Sequence, residues 1–181
     1  MLELDHVFIF TQPEAPEAEA VIALGLTEGT QNIHLSQGTA NRRIFFRNAM
    51  LEFLWVRDAA ETQTAQIAPM EFLARANSDH TGYSPFGIGL RYAPDGSDPP
   101  KSLPFQTWAF RPPYLPSHLQ FEVAYTQPHE PLIFIIPFSG TRPDTLPSEK
   151  RPPLEHANQM REITGVDLTI PNIEWRSPAL R

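Results

Sequence analysis

The chain has 181 residues, enough for one ordinary domain or two small modules. Its 14 basic and 21 acidic residues give a net charge of −7, which excludes the clustered Lys and Arg surface that nucleic-acid phosphates require. With 0 cysteines, disulfides, iron–sulfur clusters, thiol nucleophiles and Cys-type zinc sites are also excluded, so any metal would rest on His and carboxylate.

The opening stretch, MLELDHVFIF, lacks the basic n-region of a secretion signal. No apolar run reaches membrane length, so a cytoplasmic protein with no membrane partner is expected. Leu2–Phe10 reads as a buried strand, and Glu17–Leu24, after Pro13 and Pro16 and before Gly25, as a short helix. Ile33-His34-Leu35 reads as a short strand, and Arg42–Phe46 and Met50–Val56 as two more around the turn Arg47-Asn48-Ala49. Pro69–Ala76 reads as a second short helix and Phe86–Tyr92 as a strand thinned by Gly87 and Gly89. The segment 93–104, with Pro94, Gly96, Pro99, Pro100 and Pro104, reads as loop. Gln106–Arg111, Leu119–Tyr125 and Leu132–Phe138 then read as strands. Ser139–Pro153 reads as a Pro-rich loop, Ile163–Ile170 as a last strand, and Ser177-Pro178-Ala179-Leu180 as the start of a helix. Most of the 20 prolines lie beyond residue 84, where the second half carries loop in place of helix.

Residues 2–56 and 86–138 each run from a first strand to a strongly apolar last strand, a repeat of pattern without repeat of identity. The expected organisation is a first module over 1–60 and a linking helix and loop over 61–84. A degenerate β-rich module over 85–140 follows, then a Pro-rich loop and strand over 141–181. The fold class is α+β.

His6 and Glu52 are polar residues inside otherwise apolar strands. Under period-two alternation Leu4, His6, Phe8 and Phe10 share one face, as do Met50, Glu52, Leu54 and Val56. A buried carboxylate there must be paired, protonated or metal-bound. His6 and Glu52 suit a divalent metal, and Glu52 with burial behind it suits a general base. A hydrogen-bonded pair on a half-exposed surface is the plainer alternative. The segment His34 to Arg43 adds an imidazole, amides and two guanidinium groups around Gly38. Asn41 and Arg43 suit a ligand carboxylate or carbonyl, or Asn41 caps backbone groups at a hairpin corner. Trp108 and Tyr114 suit the wall of an apolar pocket, or plain sheet cover. His80, His129 and His156 lie in polar or Pro-rich loops and read as solvated.

LDHVFIF, then HLSQGTANRRIFF, then NAMLEFLWV resembles the glyoxalase-like domains of the vicinal oxygen chelate superfamily. The resemblance covers residues 2–56 well, and SPFGIGLR through PLIFIIPF fits a second, degenerate module less specifically. It implies paired βαβββ modules whose curved mixed sheet forms an open cup. It also implies a divalent metal (zinc, manganese, iron or nickel) on His6 and Glu52. A metal-dependent lyase, isomerase or dioxygenase follows, with a small oxygen-bearing ligand oriented by His34, Asn41, Arg43, Trp108 and Tyr114. The positions expected to supply the other two ligands hold Gly87 and Ile133, so the site is incomplete. His34, His118, Glu122 or the second copy of a homodimer would have to complete it. The alternative is a non-catalytic small-molecule binding module; a structural domain that dimerises through its sheet edges is a third reading.

Overall fold

The computed structural model describes residues 1–93, 102–137, 141–171 and 176–180. Pro94, Gly96, Pro99, Pro100, Phe138 and Ser139, parts of the loop and strand expectations above, lie outside these residues. The first module runs β1 (Leu2–Phe10), α1 (Ala18–Ala23), β2 (Asn32–His34), β3 (Thr39–Phe45) and β4 (Met50–Val56). Next come α2 (Ala59–Thr62), α3 (Phe72–Ala76) and α4 (Ser78–Thr81), with a 3-10 turn at Ala68–Met70. The second module runs β5 (Phe86–Tyr92), β6 (Thr107–Phe110), β7 (Phe121–Ala124) and β8 (Leu132–Ile135).

All eight strands form one open sheet in the order β2-β3-β4-β1-β5-β8-β7-β6. β1 pairs in parallel with β4, and β5 with β8, while β1 and β5 run antiparallel at the centre. Each module therefore places its first strand beside its last, and the two first strands join back to back. This is the α+β architecture of paired modules curving into a cup.

Alternation sorts the side chains to the two faces. On β4, Glu52 and Leu54 face the cup, while Leu51, Phe53 and Trp55 pack with Ala18, Val21 and Ile22 of α1 on the outer face. On β3, Asn41 and Arg43 face the cup, while Ile44 joins the outer cluster. Arg42 also turns outward and forms ion pairs with Glu19 and Glu28. The linking segment supplies Ile67, Met70 and Phe72 to a second cluster with Phe8, Phe10, Phe110 and Phe134. It thereby plugs one end of the cup and leaves the other end hollow.

Two sequence expectations differ from the fold. Ile163–Ile170 forms no strand; residues 151–171 run irregularly along the first module. Asn48 ties this segment at Ile163, accepting from its N–H through Oδ1 and donating to its carbonyl. His156 is buried rather than solvated: Nδ1 accepts from the Thr27 N–H at 3.0 Å, and Nε2 lies 3.1 Å from the Phe45 carbonyl. With Nδ1 taken as acceptor, Nε2 carries the proton and donates, so one imidazole clamps α1's exit loop to β3.

Glu130 is fully buried, and its carboxylate accepts from the N–H groups of Gln127 and Ser177, at 2.7 and 2.8 Å. Burial pushes its pKa up, but these hydrogen bonds outweigh that and hold it below the usual carboxylate value. A depressed carboxyl stabilises the fold above its unfolded pKa and loses that contribution as pH falls through its folded value. Glu130→Gln is expected to cost about 1.5–3 kcal/mol at neutral pH, the worth of hydrogen bonds to a charged acceptor. In urea unfolding, the gap to wild type is expected to narrow as the pH falls below about 4.

Candidate functional site

The hollow end of the cup is a cavity of about 410 Å³. One wall is apolar, formed by Phe8, Leu54, Phe110, Phe121 and Phe134. Beside it the lining turns polar, with Asp5, His6, Asn41, Arg43 and Glu52 together with His34 and Tyr114. His6 is 9% exposed, Glu52 5% and Asn41 1%, so the polar wall is held inside the protein rather than at its surface. The half-exposed alternative for His6 and Glu52 is therefore set aside.

His6 and Glu52 stand on adjacent parallel strands, with Phe8 paired to Glu52 and His6 to Met50. The side chains meet across this stagger: His6 Nε2 lies 3.6 Å from Glu52 Oε2. That is beyond hydrogen-bonding distance, so both atoms remain open to a third group. The other oxygen, Oε1, accepts a short hydrogen bond from Asn41 Nδ2. Asn41 Oδ1 in turn accepts from the Asn32 N–H at 3.0 Å, which ties β3 to β2. Asn41 thus satisfies a backbone group, one of the two roles read from sequence, and also holds Glu52, which that reading did not foresee.

Behind His6 stands a second layer that alternation hides. β1 carries a register shift between Leu4 and His6, and this bulge turns Asp5 toward the same cavity as its neighbour. Asp5 Oδ1 lies 2.6 Å from His6 Nδ1. Asp5 Oδ2 accepts from Arg91 Nη1 at 2.9 Å, and Arg91 Nε donates to Glu3 at 2.8 Å. Burial works against a charged His6, but the Asp5 hydrogen bond and the charges of Glu52 and Asp5 outweigh it and raise its pKa above the usual value. Burial likewise pushes Asp5 up, and His6 with Arg91 pulls it below the ordinary carboxylate value.

His34 reaches the cavity from the end of β2, with Nδ1 2.9 Å from the Thr39 hydroxyl and its ring stacked on Tyr114 at 5.5 Å. Burial lowers its pKa and favours the neutral ring. Desolvation, reinforced by the charge of Glu52, raises the Tyr114 phenol, which stays protonated. Arg43 donates through Nε to the Thr30 carbonyl at 2.7 Å and lies over the Phe45 ring at 5.1 Å. Trp108 does not join this cavity; it lines a separate cleft on the far side of Met70.

The metal reading meets a shortage of donors. Among the described residues no group of three or more His, Asp or Glu is placed to hold a metal ion. His6 and Glu52 supply two donors, and Asn41 already occupies one oxygen of Glu52. On β5 the positions beside His6 and Phe8 are Gly89 and Gly87. On β8 the cavity-facing residue is Phe134, whose ring meets His6 edge-on at 5.3 Å; Ile133 does not line the cavity. His118 and Glu122 do not line it either, and Glu122 bonds to Thr107 and Gln120. The donor set does not fit the four-ligand site of the resemblance.

Gln37 also lines the cavity, donating to Thr39 at 2.8 Å. It sits inside the polar segment flagged from sequence and is the amide that reading did not single out. No family model and no curated protein matches the sequence. Solved structures that resemble the chain include two hypothetical proteins. One is a hypothetical protein from Bacillus halodurans C-125, at 13% identity and a TM-score of 0.46, over 77% of this chain and 96% of that one. The other is a hypothetical protein from Staphylococcus aureus, at 12% identity and a TM-score of 0.43, over 77% of this chain and 60% of that one. Among the described residues no helix is long and apolar enough to cross a membrane.

Proposed function

We propose that the chain is a glyoxalase-like protein whose cup binds one small oxygen-bearing molecule without a resident metal. The observation that carries this reading is the two-sided lining of the cavity. Phe8, Phe121 and Phe134 offer an apolar bed, and His6, Asn41, Glu52 and Arg43 offer donors and an acceptor beside it. A volume of about 410 Å³ suits a compact ligand with an apolar body and a polar head. The open Nε2 of His6 and Oε2 of Glu52, 3.6 Å apart, would take a hydroxyl or carbonyl head between them. Arg43 would orient a carbonyl or carboxylate at the same head.

The same pair supports a catalytic version of this reading. A ligand with a C–H beside its carbonyl would give that proton to Glu52 Oε2. The bonding electrons would pass to the carbonyl oxygen, which would accept a hydrogen bond from His6 Nε2–H. Asp5, accepting from Nδ1–H, would favour the doubly protonated imidazolium, the form of His6 that also carries a proton on Nε2. Return of the proton to the other face of the same carbon would complete an epimerisation.

A thermal-shift screen of 2-keto acids, 2-hydroxy acids, 1,2-diols and catechols tests the binding. A hit is expected to raise the unfolding temperature with concentration, and Glu52→Gln with His6→Ala are each expected to weaken it about tenfold or more. Elemental analysis after incubation with zinc, manganese, iron or nickel is expected to give no stoichiometric metal. Stoichiometric metal lost in both variants would overturn the metal-free reading. For the catalytic version, deuterium from solvent is expected to enter a bound 2-keto acid beside its carbonyl in wild type and not in Glu52→Gln.

A further inference from the structure

The cleft that receives Trp108 is separate from the cup and has a volume of about 470 Å³. It lies between the linking segment and the sheet of the second module, with Met70, Tyr83, Tyr125 and Leu132 on its walls. Its unusual member is Arg75, the basic residue in the last turn of α3, which is 4% exposed. The guanidinium makes two hydrogen bonds, both through Nη1, to the carbonyls of Ser84 at 2.9 Å and Glu130 at 3.1 Å. Among the described residues Nε is buried without a partner, and no hydrogen bond engages Nη2.

No carboxylate stands within ion-pair distance of Arg75 among the described residues. Burial pulls its pKa down to about 10, Glu71 on the same cleft opposes this only through space, and the Glu130 carboxylate is turned to Gln127 and Ser177. The Tyr83 ring, 5.7 Å from the guanidinium carbon, is its aromatic neighbour. Burying a cation against carbonyls and rings alone is unfavourable, because the charge keeps neither its water nor a counter-ion. Beside it lies unusual apolar exposure: Tyr125 is 59% exposed, and Trp108 stands on the same cleft. A buried cation and aromatic rings on one lining match a ligand with an anionic head and a flat apolar body.

The geometry points to a second binding site, in which Arg75 takes the carboxylate of a small aromatic monoacid whose ring lies against Trp108 and Tyr125. The negative charge of Glu71 on the same cleft disfavours dianions, which sets the class at one carboxylate. Met70 is the residue this site shares with the lining of the cup.

Phenylacetate and its neutral counterpart phenylacetamide are the probes, titrated by calorimetry and by NMR of the Trp108 indole N–H. Phenylacetate is expected to saturate and to shift the Trp108 signal, with the amide at least about tenfold weaker for want of a charge-assisted bond. Arg75→Gln is expected to abolish the preference for acid over amide. Tyr125→Ser, at an exposed position, is expected to weaken phenylacetate several-fold with the fold intact, and decides the matter should Arg75→Gln not fold. Glu52→Gln is expected to leave the titration unchanged. Equal binding of acid and amide, no saturation by about 10 mM, or loss of the signal in Glu52→Gln would each overturn the proposal.

Discussion

Arg91→Met is expected to lower the unfolding free energy by about 3–5 kcal/mol, the loss seen when a buried ion pair is broken from one side. Arg91 is 1% exposed and is held by Glu3, Asp5 and the Asn48 carbonyl. Methionine fills similar volume but leaves the charge of Asp5 facing an apolar stem. Asp5 has a depressed pKa in the wild type, so its contribution is present above its ordinary value of about 4 and fades as pH falls. The deficit of Arg91→Met in urea unfolding is therefore expected to shrink on acidification. A deficit constant from pH 7 to pH 3 would show that lost packing, not lost charge, is the cause. Arg91→Lys keeps the charge but cannot make three divergent contacts, and is expected to fall between the two.

Gly89→Ala and Gly87→Ala are expected to be the most damaging small-to-large changes on the sheet. A Cβ at Gly89 would stand 2.4 Å from His6 Cε1 and 2.6 Å from its Nδ1. A Cβ at Gly87 would stand 2.1 Å from Phe8 Cε1. Both are rings packed flat over a bare backbone on the central strand pair, so each must move. Overpacking of this kind costs about 1–3 kcal/mol. The two variants are expected to differ in function. Gly89→Ala pushes the imidazole off Asp5 and is expected to abolish ligand binding in the cup, whereas Gly87→Ala acts first on stability. Phe8→Leu is expected to recover part of the stability lost in Gly87→Ala, because the shorter side chain withdraws the clashing ring atoms. Additive losses in the double variant would refute the ring contact as the cause.

These glycines mark where sequence reading succeeds and where it stops. Alternation on β4 puts Glu52 and Leu54 on one face, and they do face the cup, because that strand is regular. On β1 the same rule places Leu4 with His6 and hides Asp5, because a bulge reverses the side of a residue without leaving a composition signal. In sequence Gly87 registers as a missing ligand and Gly89 only as a thinning of the strand. In the fold they are the space that lets His6 and Phe8 lie across β5. Arg91 and Arg75 read as ordinary charges in a strand and a helix, since the partners that bury them come from elsewhere in the chain. Asn41 was legible because its turn motif fixed both its place and its neighbours. Trp108 shares β6 with the cup-lining Phe110, yet the linking segment over Met70 divides the concave face into two chambers. That division depends on tertiary packing and has no local signature.

The irregular segment clamped by His156 and Asn48 bears on how the protein is made. Asn158 donates to the Leu24 carbonyl across 134 positions of sequence, and Ile163 packs on the outer cluster of the first module. A ribosome delivers that module long before the residues that cover it. Until residues 156–163 emerge, Phe45 and Thr27 have no imidazole to bridge them, and Phe46 lacks the ring it meets at 5.1 Å. The first module would therefore wait as a partly open surface during synthesis, and its closure is among the most sequence-distant and slowest steps of folding.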